Sequence, residues 1–363
     1  MLIQKFTTLF KDVTRQGTKI PKEEYLTHGK NIIIDQGQDI IAGYTNCEDG
    51  IFKKIPAIVF GDHTRIIKYV DTPFFLGADG VKVLKCTDKN ANYRYLYYAL
   101  KNAHIPNTGY NRHLKWLKEI TINYPDKNRQ NDIVNILDKL EYIIKMKSQE
   151  LDKFDELIKA RFVEMFGDPQ DSKSKWKKST IEKCCTLKSG KTLPRNIENE
   201  GGNIPYVKVK DMNSLENTTY ITTSTRFVSD KTANKSIFPV GTVIFPKRGG
   251  AIGTNKKRLT KVPICADLNI MGVIPDNTRI SSYYLFEYFN MVDLNTLNNG
   301  SSVPQINNKD INPLNINIPP LSLQNEFANF VHQVDKSKFE NIVYLNKTLS
   351  SKILSQLGDA IRD

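Results

Sequence analysis

The chain has 363 residues, 39% of them hydrophobic, and a formal net charge of +13. It is too long for one ordinary core, so two domains are expected. No run of 18 apolar residues provides a membrane span, and Met1-Leu2-Ile3-Gln4-Lys5-Phe6 lacks the basic end and apolar stretch of a signal peptide. Cys47, Cys86, Cys184, Cys185 and Cys265 form no Cys-x-x-Cys pair, which argues against a zinc site and for a reduced cytoplasm.

In chain order, the first 124 residues read as short strands bounded by Gly, Pro and Asp, as at 53–60 and 81–84. A short helix is predicted at 93–102 and a closing strand at 120–122, before Pro125. Residues 127–166 then carry Ile133, Leu137, Leu140, Ile144, Leu151, Phe154 and Ile158 at alternating three- and four-residue steps, with Lys147 as a polar break. No Pro or Gly interrupts this segment, which predicts about 60 Å of helix at 1.5 Å per residue. The link at 167–178 is rich in turn residues.

The pattern then repeats. Strands are predicted at 206–209 and 242–245, a short helix at 281–290 and a closing strand at 314–316. Pro319 leads into a second long helix from 323 to about 357, with Phe327, Val331, Val334, Ile342, Leu345, Leu349 and Ile353 on one stripe and Lys338 as its polar break. The sequence itself is duplicated. Gly29-Lys30-Asn31-Ile32-Ile33-Ile34 returns 172 positions later as Gly201-Gly202-Asn203-Ile204-Pro205-Tyr206, and Gln130-Asn131-Asp132-Ile133 returns 194 positions later as Gln324-Asn325-Glu326-Phe327.

The expected fold is therefore α+β. Two similar, mixed or mainly β lobes (1–124 and 171–318) alternate with helical spacers (125–170 and 319–363). Neither long helix is expected to be stable alone, so the two are expected to pair as an antiparallel coiled coil with pseudo-twofold symmetry. Charge follows the same division. Lys and Arg exceed Asp and Glu by 18 to 12 in the first lobe and 21 to 12 in the second, whereas the spacers carry 8 against 10 and 5 against 5. Positive lobes on neutral spacers favour a polyanion with two separated sites, and duplex DNA is the commonest. Solvated surface lysines are the plainer alternative.

Gly190-Lys191-Thr192 has the look of a phosphate-binding loop, but Cys185 stands where that loop needs its first glycine. Nucleotide hydrolysis is therefore not expected. Lys191 and its first-lobe counterpart Lys19 remain candidate DNA contacts. Lys247-Arg248-Gly249-Gly250, followed by Lys256-Lys257-Arg258, sets cations beside glycines that allow close backbone approach. Its counterpart contains His63 and Arg65. A third candidate surface holds Gln305 and Asn307, after 298–302, and its first-lobe counterpart holds Asn111 and Arg112, because amides and arginine match adenine and guanine edges. Each of these loops taken singly also reads as an ordinary surface turn. The histidines show no metal spacing, and there is no Asn-Pro-Pro-Tyr or Asp-Pro-Pro-Tyr segment of an amino-methylating enzyme.

Ala160-Arg161-Phe162-Val163-Glu164-Met165-Phe166-Gly167-Asp168-Pro169 resembles the helix-to-lobe junction of specificity (S) subunits of type I restriction–modification systems. Ile318-Pro319-Pro320-Leu321 with Gln324 is similar to that family's helix entry, and 242–253 resembles a strand-loop of its target-recognition domains. The first lobe departs in its short start and in having Tyr124-Pro125-Asp126 at its junction. The resemblance implies a non-catalytic subunit whose lobes each read half of a bipartite site in double-stranded DNA. It also implies helices that set the spacing and dock two methyltransferase (M) subunits holding S-adenosylmethionine. Two restriction (R) subunits using ATP and Mg are implied where the system also cleaves. The alternatives are a self-contained DNA methyltransferase or nuclease, and a coiled-coil scaffold without nucleic acid.

Overall fold

The structure is a computed structural model that describes residues 2–77, 79–169, 175–234, 236–297, 303–345 and 361–362. The chain forms two compact units, Met1–Ser148 with Ile342–Asp363, and Gln149–Asn341.

In the first unit a four-stranded antiparallel sheet runs in the order Phe10–Asp12, Val81–Cys86, Ala57–Gly61, Ile67–Val70. Ala57–Gly61 is buried throughout, so its unbroken apolar run marks a strand covered on both faces. The edge strand Ile67–Val70 alternates half-buried with buried residues instead. The strand begins at Ala57 rather than residue 53, because Pro56 has no N–H to give a ladder. A second sheet places Asn31–Ile34 between Gly43–Thr45 and Phe74–Leu76. A third pairs Thr121–Tyr124 with Leu2–Lys5 and with Ile361–Arg362.

The second unit has a five-stranded sheet ordered Cys185–Ser189, Ile270–Pro275, Val243–Pro246, Arg258–Thr260, Tyr220–Ile221. Beside it, Ile204–Val207 lies between Phe227–Val228 and Cys265–Ala266, two residues earlier than the sequence pattern suggests. Lys177–Thr180 pairs antiparallel with Asn315–Ile318, as Leu2–Lys5 does with Thr121–Tyr124 in the first unit.

Each unit has a short helix at the expected place. Tyr93–Lys101 is capped by the Asn92 side chain, which accepts from Arg94 and Tyr95 N–H; Ser282–Met291 is capped by Ser281, which accepts from Tyr284 N–H. The same lock then ties each short helix to the start of a long one. Gln130 Oε1 accepts from Asn92 N at 3.1 Å while its Nε2 donates to Pro125 O at 2.9 Å. Gln324 Oε1 accepts from Ser281 N at 2.7 Å while its Nε2 donates to Pro319 O at 2.8 Å. Tyr95 and Tyr284 each donate a hydroxyl to a closing-strand carbonyl, that of Asn123 and of Asn317.

Lys127–Phe166 is one uninterrupted helix of 40 residues. Ile133, Leu137 and Leu140 join the first unit's core, where Ile143, Ile144, Tyr344 and Leu345 also pack. Within the second unit, Ile158, Phe162 and Phe166 meet Phe327, Val331 and Val334 of the helix Leu321–Val343. Arg161 pairs with Glu326 at 3.1 Å and Asp155 with Lys338 at 2.5 Å, an order that makes these two segments antiparallel. Lys338, the polar break in the second stripe, thus answers a carboxylate on the facing helix. The expected continuation of that helix through Leu349 and Ile353 lies outside the described residues.

Candidate nucleic-acid interface

In the first lobe the strand Ala57–Gly61 ends in the turn Asp62-His63-Thr64-Arg65, where Arg65 takes a left-handed backbone (φ 65°) and donates its N–H to Gly61 O at 2.7 Å. Gln36 gathers the neighbouring loops. Its Oε1 accepts from His63 N at 3.2 Å, its Nε2 donates to Asp79 O at 3.0 Å, and its carbonyl accepts from Thr64 Oγ1 at 2.6 Å. Gly80 permits this approach: at φ 93° an added Cβ would sit 2.6 Å from the Gln36 amide and 2.7 Å from the His63 ring.

His113 is fully buried, its Nδ1 lies 2.9 Å from Asp62 O, and Leu114 N donates to Asp62 Oδ1 at 2.7 Å. These bonds fix the segment that presents Tyr110, Asn111 and Arg112. Tyr110 is 86% exposed and stacks on His63 with ring centroids 4.6 Å apart and planes 9° from parallel. Lys19 Nζ sits 2.8 Å from Asp79 Oδ1 and, with Arg112 and His63 adding positive potential, holds that carboxyl below its ordinary range. Lys19, His63 and Arg112 therefore share one surface. Arg65 turns its guanidinium to Ile105 O at 3.0 Å, and Asn111 donates its side-chain amide to Thr108 O.

In the second lobe the strand Val243–Pro246 delivers Lys247 and Arg248 to the turn Gly249–Thr254, where Gly249 has φ 71°. Backbone bonds seat the chain before the short helix Asn308–Ile311 alongside: Ile306 N donates to Lys247 O at 2.9 Å and Gly249 N to Pro304 O at 2.8 Å. Arg248 is exposed and donates Nη2 to Gln305 Oε1 at 3.1 Å, with Nε at 3.4 Å. Gln305 donates Nε2 to Asn307 Oδ1 at 2.7 Å, and Asn307 forms a capping box with Asp310. Lys247 Nζ meets Ser189 Oγ at 2.8 Å; burial first, then the Arg248 charge, lowers its pKa. Lys256 donates to Asn213 Oδ1, and Lys191 is exposed. Residues 298–302, predicted to continue this surface, lie outside those described.

Two predicted contacts fall inside the lobe instead. Lys257 is 4% exposed and donates Nζ to Val292 O at 2.6 Å and Asn255 Oδ1 at 2.7 Å; burial takes its ammonium down to about 8. Arg258 is held by the carbonyls of Asn217 at 2.6 Å, Lys257 at 2.8 Å and Met212 at 3.0 Å. A run of three cations has no periodicity that tells which point outward, so the sequence places all three on the surface. Conversely, no sequence pattern points to Gln36 or Tyr110. Tyr110 lies within the loop noted for its amides, whereas the role of Gln36 depends on three loops meeting.

Among the described residues no group of three His, Cys, Asp or Glu side chains could hold a metal ion, and no helix is long and apolar enough to cross a membrane. Two lobes of one plan, each presenting basic side chains beside amides and each tied to a long helix, define a twin-lobed recognition protein. The chain belongs to the family described as type I restriction modification DNA specificity domain, whose profile matches residues 8–153 and 173–350, and its role is DNA sequence specificity.

It is 24% identical over 330 residues to the type I restriction enzyme EcoR124I/EcoR124II specificity subunit of Escherichia coli, spanning 84% of this chain and 79% of that one. It is 22% identical over 268 residues to the MjaIX specificity subunit of Methanocaldococcus jannaschii, spanning 68% and 59%. In fold it is similar to the type I restriction–modification S subunit from M. genitalium, with a TM-score of 0.56 at 19% identity over 100% of this chain and 96% of that one. A chain from a structure of type I complex assembly and conformational transition gives a TM-score of 0.55 at 14% identity, over 99% and 97%.

Proposed function

We propose that each lobe reads one half of a bipartite site in duplex DNA, and that the long helices fix the gap between the halves and dock two methyltransferase subunits. The observation that carries this reading is the repetition of one plan with unlike side chains at its tip. Both lobes run strand, turn, short helix and closing strand into a long helix through the same glutamine lock. Yet one turn presents His63 and Tyr110 while the other presents Arg248 and Gln305. Common scaffolding with different tips is what two different half-sites require.

On this reading the bond-making chemistry belongs to the partners. S-adenosylmethionine resides on the modification subunits, and ATP and Mg serve the restriction subunits where these are present. Lys19 and Arg112 in the first lobe, with Lys191, Lys247, Arg248, Lys256, Gln305 and Asn307 in the second, form the DNA-facing set. The chain works in the cytoplasm, where its DNA is.

The test is an exchange of residues 179–318 for the corresponding lobe of another such chain, followed by methylome sequencing of cells carrying the full complex. One half of the methylated site changes and the other keeps its sequence. A change in both halves, or methylation by the purified chain alone, would reject the division of labour in favour of a self-contained methyltransferase.

A further inference from the structure

The two turns can be matched residue by residue through one backbone bond. His113 N donates to Asp62 O at 2.8 Å in the first lobe, and Ile306 N donates to Lys247 O at 2.9 Å in the second. Asp62 and Lys247 each follow the central strand, so His63 and Arg248 occupy matched places, and Arg112 matches Gln305. The chemistry at these places differs. Arg248 is gripped from one side: Nε and Nη2 both face Gln305 Oε1, and Gln305 is itself held by the Asn307 cap. Among the described residues its Nη1 has no protein partner, and a Cβ placed at the neighbouring Gly250 would meet none of them within 4 Å. A guanidinium fixed along its Nε edge still has the hydrogens of Nη1 and the second hydrogen of Nη2 to offer. That fork fits the adjacent O6 and N7 acceptors of guanine in the major groove. The place matched to Arg248 itself holds His63, stacked on Tyr110, with flat aromatic faces instead of that fork.

Building on the bipartite reading above, we propose that Arg248, positioned by Gln305, reads a guanine in the half-site of the second lobe, and that the His63–Tyr110 stack makes the matched position of the first lobe different in kind. A phosphate contact would use the same charge without this orientation. The two are separable, because losing a base contact relaxes one position while losing a phosphate contact weakens every sequence alike.

The experiment uses the full chain assembled with its modification subunits, selecting from a pool of random duplexes that is then sequenced. Arg248→Ala should lower the preference for G·C at one position of the second half-site by about tenfold or more, with the first half-site as an internal control of folding. Gln305→Ala should lower that same preference partly. Gln305→Glu keeps an acceptor for the same two nitrogens while giving up the donation to Asn307 Oδ1, and should retain more of that preference than Gln305→Ala. Equal loss at all positions with a shallower salt dependence would overturn the proposal and make Arg248 a phosphate contact, leaving the bipartite reading intact. Failure of the unmodified assembly to select any sequence would overturn both.

Discussion

At Lys257 the fold holds a charge where burial disfavours it. Its ammonium, ordinarily near 10.5, is brought down to about 8 by burial, with Asp293 opposing the shift only partly. Between those two values the unfolded chain binds more protons than the folded one, so stability rises with pH across that interval and gains nothing further above it. Replacing Lys257 with Met removes the titration. Urea unfolding of both proteins at pH 7 and pH 10 should show the difference moving toward the wild type by about 1–3 kcal/mol. A difference independent of pH would mean that the ammonium is as well solvated in the fold as in the free chain. Lys257 also shows why a basic cluster is a poor guide to a surface. A lysine stem can cross a core and end on a carbonyl, as here on Val292 O.

At the scale of elements, the glutamine lock decides how a lobe sits on its helix. Gln324 is fully buried, yet its amide is satisfied by Ser281 N at 2.7 Å, Arg279 O at 3.1 Å and Pro319 O at 2.8 Å. Gln324→Leu keeps the volume and strands those three backbone groups. We expect the urea midpoint of the second unit to fall by the equivalent of about 2–4 kcal/mol, with an unchanged slope. A loss below about 0.5 kcal/mol would show that water reaches those groups. These elements were legible for different reasons. The 40-residue helix declared itself through its apolar spacing and its freedom from Pro and Gly. The short helices showed as matched aromatic runs, Tyr95-Leu96-Tyr97 and Tyr284-Leu285-Phe286. Strand ends were less clear: Lys53 and Lys54 precede Pro56 and stay outside the sheet, while Ile204 and Pro205 belong to a strand whose pattern suggested a later start.

At the scale of the whole chain, the helix Lys127–Phe166 is long enough, at about 60 Å, to span more than one DNA turn of roughly 34 Å. If it acts as the ruler proposed here, a heptad inserted after Lys147 lengthens the gap in the recognised site and leaves both half-sites as they were. Seven residues return the apolar stripe to nearly the same face, so the inserted turns continue the packing rather than twist it away. Methylome sequencing reads the outcome directly, and an altered half-site would show that the helix shapes the lobes instead of separating them.

What the sequence determined by itself was the plan: two lobes, two apolar stripes, and an order repeated after 172 and 194 residues. Periodicity and duplication are properties of the chain read one residue at a time, and they survive without coordinates. The tertiary structure alone decided which polar side chains remain at the surface. Arg248 and Arg258 stand ten residues apart with the same chemistry. One leans on the side chain of Gln305 and stays exposed, whereas the other is drawn onto three carbonyls that only the folded lobe brings together. The tip of each lobe depends on such long-range hydrogen bonds, as when Gln36 meets His63 and Asp79. A buried polar group must find partners wherever the fold supplies them, and no local pattern records where those partners will be.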